Sequence, residues 1–173
     1  MNRLAHFITI FISASLLCGE TPDPGQMLDY SDYERLLKTY AEDDGLRYAA
    51  WAENDDDKAA LAAFVEYLGQ IDINSLSESG KTAFYINLYN AAMLQIVLEN
   101  YPIKSVKMIG LLPFSVFKKD QITLGNNKLS LDDIEKGILL HQYFDPRIHF
   151  ALNCASVSCP PLRMEPFYGN RLN

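Results

Sequence analysis

The residues best suited to covalent chemistry gather near the C-terminal end of the chain, where His149 precedes Cys154 and Cys159 follows at equal spacing. A thiol becomes a strong nucleophile only as the thiolate, and an imidazole within hydrogen-bond reach is a common group to take its proton. His149 and Cys154 are therefore the natural catalytic pair for a thiol-dependent hydrolase or transferase. Asn87 and Asn90 are candidates for the amide that orients the imidazole, since they interrupt an apolar segment in which an unbonded amide is costly. The stretch Asn153-Cys154-Ala155-Ser156-Val157-Ser158 is more polar and richer in small residues than a core needs, and small residues let a ligand approach. Asn153, Ser156 and Ser158 are thus candidate binding residues. Tyr89 beside the amides and Glu135 as a partner for the imidazole complete the candidate site.

The same residues admit a non-catalytic reading. Cys154 and Cys159 have the spacing of a local disulfide if the chain turns between them, or they pack as small apolar side chains. A lone histidine near a core is often simply hydrogen-bonded. On this reading the domain is a binding or scaffolding module of the cell envelope, with an envelope protein or peptide as its partner. Metal and cofactor chemistry find little footing. There are three histidines, one near the N-terminus, and zinc sites usually take three or four protein ligands. Neither a Gly-rich phosphate loop nor a Gly-x-Ser-x-Gly elbow occurs, so no cofactor and no metal are expected.

With 173 residues the chain is the size of one domain, and a net charge of −7 without a basic stripe argues against nucleic acid. Residues 1–20 stand apart. Behind Arg3 runs an apolar stretch from Phe7 to Cys18, too short for a membrane span and of the length found in signal peptides. Export to the periplasm or the medium is expected, with 1–20 as a signal peptide, 21–30 as a linker and no transmembrane span once the leader is removed. Cys18 offers lipoprotein processing as a minority alternative, since Leu17 stands where a small residue is expected.

The elements that must position the candidate site follow from periodicity. Ser31-Asp32-Tyr33-Glu34 has capping-box spacing, and Tyr33, Leu36, Leu37 and Tyr40 share a helix face, predicting a helix from Ser31 to Ala41. A short extended piece follows Gly45, and a second helix starts at Asn54 or Asp55, its acids favoured by the helix dipole. From Glu78 to Asn100 apolar residues spread around most of the circumference, predicting an enclosed central helix. Gln121 to Ser130 reads as a hairpin turning at Gly125-Asn126-Asn127, and Ser130 to Asp133 as the cap of another helix. Arg147 to Leu152 is expected to be a buried strand. The fold class is therefore α+β and mostly helical, a central buried helix packed on a small antiparallel sheet of hairpin and last strand.

Four motifs appear together: Phe84-Tyr85-Ile86-Asn87-Leu88-Tyr89-Asn90-Ala91, Tyr101-Pro102-Ile103-Lys104-Ser105-Val106, the run from Leu129 to Glu135 with Gly137-Ile138-Leu139, and the stretch from Asp145 to Leu162. In this order they resemble the domain of unknown function 547 family over residues 31–173. Tyr85 stands where members commonly carry Trp, which keeps aromatic bulk. Family domains generally continue past the position of Arg171 and Leu172 with another helix and strand, so the resemblance implies a C-terminally incomplete domain. It also implies secreted or periplasmic bacterial relatives, and eukaryotic ones joined to glutaredoxin-like, DEP or leucine-zipper modules. The glutaredoxin association points, by analogy alone, toward thiol chemistry. In roles, a Cys154, His149 and Asn87 or Asn90 constellation is similar to that of papain-like and transglutaminase-like enzymes, although there the cysteine heads the central helix and here that helix carries asparagine.

Overall fold

Apolar side chains recurring at helical spacing set most of this architecture. The computed structural model describes residues 28–156 and 159–172. The expected leader at 1–20 with Cys18, the linker as far as residue 27, and Ser158 lie outside the described residues. Helix α1, Ser31–Tyr40, buries Tyr33, Leu36, Leu37 and Tyr40 on one face. The capping box expected at Ser31 does not form: the residue before the helix is Tyr30, which makes no side-chain cap, and Asp29 Oδ1 accepts from the Ser31 N–H at 2.9 Å. Tyr30 itself is buried, with its ring against Phe64 and Tyr168.

Strands β1, Ala41–Glu42, and β2, Gly45–Leu46, pair antiparallel, with Gly45 at φ 155°. The chain then enters the short helix α2, Tyr48–Ala52, where Trp51 is fully enclosed and stacks on Tyr40. Helix α3, Asp55–Gly69, starts at an Asn54 cap whose side chain accepts from the Asp57 N–H. Helix α4, Glu78–Glu99, matches the predicted central element. Phe84, Leu88 and Tyr89 are 0% exposed and Ala92 and Met93 nearly so, each large apolar group contributing about 1.5–3 kcal/mol on burial. Its main neighbours are α3, the later helix at residues 131–143 and a turn at Gly169–Arg171. Among the described residues no helix is long and apolar enough to cross a membrane.

After a 3-10 turn at Val106–Met108 and the single helical turn α5, Ser115–Lys118, the hairpin forms from β3, Ile122–Leu124, and β4, Asn127–Leu129. Gly125 at φ 58° supplies the left-handed residue of the turn and donates its N–H to Gly69 O at 2.7 Å. The hairpin leans chiefly on α3, where Gly69 lacks the Cβ that would collide with Thr123 O. Next comes the helix at 131–143, which Ser130 and Asp133 cap reciprocally. Its middle, Asp133–Leu140, is π-helical, and it ends as α6, His141–Tyr143.

One predicted element changes type. Arg147 to Leu152 is not a strand of the sheet; Ile148–Ala151 is a short helix, α7. Asp145 Oδ1 accepts from the Arg147 N–H at 2.9 Å and so forms a side-chain turn that leads into the helix. Ile148 and Leu152, four apart, are buried while His149 and Phe150 are exposed, so burial follows a helical rather than an alternating period. Among the described residues the sheets are two separate antiparallel pairs, β1–β2 and β3–β4, and the domain remains a mostly helical α+β fold.

Candidate functional site

Both asparagines of α4 point away from solvent and are bonded to main chain. Asn90 Oδ1 accepts from the Asn153 N–H at 2.9 Å, and its Nδ2 donates to Ala151 O at 2.9 Å. Three residues earlier on the helix, Asn87 Oδ1 accepts from the Phe167 N–H at 2.9 Å, and its Nδ2 donates to Phe167 O at 2.8 Å. Each amide thus replaces the partner strand that an irregular segment lacks, and satisfies buried backbone groups that would otherwise be costly. The positions follow from the helix: residues three apart lie on one face, and this face of α4 carries the chain's last segment.

Asn153 extends the network. Its Oδ1 accepts from the Ala155 N–H at 2.9 Å, forming a tight side-chain turn, and its Nδ2 donates to Pro160 O at 2.9 Å across the loop. Ala155 takes φ 54°, a left-handed conformation that reverses the chain. That reversal lets Cys154 and Cys159 form a disulfide across Cα atoms 6.3 Å apart. The Cys154 N–H also points to Cys159 Sγ at 3.3 Å, and the Cys159 N–H donates to Ser156 O at 2.9 Å. Both sulfurs are therefore tied within a small closed ring, where neither is a thiolate.

The remaining candidates lie at different depths. Tyr89, fully buried, donates a long hydrogen bond of 3.4 Å to Glu135 Oε2 on the π-helical segment, and desolvation foremost raises its hydroxyl well above the ordinary tyrosine value. His149 sits on the exposed side of α7, and among the described residues its ring has no hydrogen-bond partner. Asn90, Asn153 and the Cys154–Cys159 ring are thus joined in one locus. Asn87 serves a second anchor at Phe167, and neither Glu135 nor an α4 amide is bonded to His149.

An open cleft of about 440 Å³ borders the ring, lined by Asn153, Ser156 and Cys159 on one side and by Asp44, Gly45 and Tyr48 on the other. The Tyr48 hydroxyl is buried without a hydrogen-bond partner among the described residues, and desolvation pushes it up to about 12. The β1–β2 turn side of this cleft was not among the sequence candidates. Asp43-Asp44-Gly45 is a legible turn signal, but nothing in its spacing places it opposite residue 153. A larger depression of about 960 Å³ runs between α3 and the β3–β4 hairpin; Glu66 is the only titratable residue in its lining, which otherwise offers small and amide side chains. We take the disulfide-bordered cleft as the candidate site, because there several convergent polar groups meet a constrained loop.

A second polar cluster, also missed from the sequence, lies under α1 and α3. Asp57 accepts from Tyr40 Oη at 2.6 Å, from Arg35 Nη1 at 2.7 Å and from Asn54 Nδ2 at 3.1 Å. The Tyr40 hydrogen bond and the Arg35 guanidinium hold the Asp57 carboxyl below its ordinary range, while burial and the carboxylate push Tyr40 up. Its visible trace was Asp57 alone, in an acidic run explained by the helix dipole. Among the described residues no group of three or more His, Cys, Asp or Glu is placed to hold a metal ion.

Residues 73–173, more than half of the chain, match the family model described as "Protein of unknown function, DUF547". The chain belongs to this family. The match spans α4, the disulfide ring and both asparagine anchors. No curated protein and no solved structure matches the chain.

Proposed function

We propose that this protein is an exported, non-catalytic binding module of the cell envelope, and that the cleft beside the Cys154–Cys159 ring takes a short peptide segment of an envelope partner. The disulfide carries this reading: the sulfur that a thiol enzyme would use as its nucleophile is bonded to its neighbour. Two further observations support it. The Asn87 and Asn90 amide oxygens are already bonded to main-chain N–H groups, and His149 is exposed and bonded to neither. A local disulfide persists in oxidising compartments, which agrees with the apolar, leader-like run from Phe7 to Cys18. The cleft's dimensions suit a few residues of extended chain, and its lining includes the polar residues Asp44, Tyr48, Asn153 and Ser156.

The test is a count of free thiols. In the exported protein under non-reducing conditions, Cys154 and Cys159 are expected to resist iodoacetamide at neutral pH and to label together only after reduction. Rapid, stoichiometric labelling of Cys154 in the unreduced protein would instead restore the thiol-dependent hydrolase or transferase.

A further inference from the structure

Between the central helix and the hairpin, the chain turns apolar side chains outward. Met108 is 67% exposed, Leu111 100%, Leu112 70% and Phe114 50%, all within one short loop. This is not the profile of a loose segment whose apolar groups failed to find a core. Val106 before the tip and Val116 after it are buried, and Ile109 and Phe117 pack partly against the core. Between these anchors the turn is ordered by its own bonds: the Ser115 hydroxyl donates to Ile109 O, and the Ser115 N–H donates to Leu112 O at 3.0 Å. Gly110 takes φ 95°, and a Cβ there would strike the Ser115 hydroxyl, so the backbone is committed to this shape.

Charge accompanies the apolar tip. Lys104, Lys107, Lys118 and Lys119 are all exposed, and no acidic residue occurs from Tyr101 to Lys119 in a chain whose net charge is −7. Among the described residues none of the four takes part in an ion pair, while every other Lys or Arg except Lys128 does; Lys107 instead lies over the Phe114 ring at 5.1 Å. An apolar prong collared by unpaired cations, on an otherwise acidic body, complements one kind of surface: a bilayer with anionic headgroups, into whose interface the tip inserts while the lysines meet the phosphates.

We propose that the loop from Lys104 to Lys119 docks this protein onto an anionic lipid surface, with Leu111, Leu112 and Phe114 entering the headgroup region. The loop is separate from the disulfide-bordered cleft, so this inference stands or falls independently of the function proposed above.

Vesicles of phosphatidylcholine with and without phosphatidylglycerol provide the test. The whole chain is expected to sediment with the anionic vesicles and to be released by salt. Leu111→Asp with Leu112→Asp is expected to lower partitioning at least tenfold, and Lys118→Gln with Lys119→Gln about fivefold per lysine. A local readout comes from Leu111→Trp, which alters a fully exposed side chain; Trp51, the native tryptophan, is buried and gives a constant background. Its emission is expected to shift to the blue on anionic vesicles and to be quenched by lipids brominated in the chain. Because it reports on position 111, vesicle binding through the apolar N-terminal run does not mimic it. No blue shift, equal binding of the Leu111→Asp, Leu112→Asp variant, or a dimer that this variant converts to monomer would overturn the proposal, the last assigning the loop to a second copy.

Discussion

Two buried polar clusters hold this domain together by opposite means. Under α1 and α3, Asp57 gathers Tyr40, Arg35 and Asn54 into a charged cluster in which side chains bind side chains. On α4, Asn87 and Asn90 are neutral, and each grips the main chain of a segment far along the sequence. The first cluster joins elements that are already helical and already packed, so it refines an interface. The second stands in for secondary structure, since the segment after α7 has no ladder of its own and borrows one from two amides. Polar residues inside a core therefore need not announce a reaction. Where the chain is regular they tune packing, and where it is irregular they supply the missing hydrogen bonds.

That comparison is open to direct tests. The largest effect is expected from Asn90→Ala, which leaves the Asn153 N–H and Ala151 O without their partner and should cost about 3 kcal/mol. Hydrogen exchange should show the loss concentrated after residue 151, with the α1–α3 region protected as before. An even loss of protection across the domain would show that the amide is no local anchor.

Asp57→Asn should cost less, about 2 kcal/mol, because a neutral amide keeps some of the bonds but loses the charge-assisted ones. Its signature is in pH. A carboxyl held low in the folded protein stabilises it above the unfolded value, about 3.9, and that contribution is lost as pH falls through the lower folded value. Urea unfolding between neutral pH and about pH 3 should therefore show a steeper acid loss in the native protein than in Asp57→Asn. Asn90→Ala, which touches no titrating group, should keep the native slope.

The smallest effect is expected from Arg35→Ala. Its side chain is 48% exposed, so the ion pair with Asp57 is largely screened and its removal should cost about 0.5 kcal/mol. A loss as large as that of Asp57→Asn would mean that the guanidinium, not the Tyr40 hydroxyl, is the main partner of the carboxylate.

Much of this molecule was legible residue by residue. The spread of Phe84, Ala92, Tyr89 and Ile86 around much of the circumference of α4 required an enclosed helix, because so apolar a segment leaves little face for water. Ser130 and Asp133 announced a helix start, and Gly125-Asn126 a hairpin turn, since caps and left-handed turns rest on local bonds and local sterics. Membership of the DUF547 family was readable for a similar reason, as its motifs are short and lie in order along the chain. The asparagines were recognisable as groups in need of partners, because a buried amide has a cost that is independent of the fold around it.

What they bind was decided only in three dimensions. Residues 87 and 167, or 90 and 153, are joined by packing, and periodicity carries no information about which distant backbone a side chain will meet. The predicted strand at Arg147 to Leu152 failed for the same kind of reason. Its composition suits a strand, but a strand exists only beside another, and among the described residues none pairs with it; the Asp145 turn and the burial of Ile148 and Leu152 go with a helical turn. The cysteines show the division most plainly. Their spacing permits either a bridge or a free thiol, and the left-handed turn at Ala155, held by the Asn153 side chain, closes the ring.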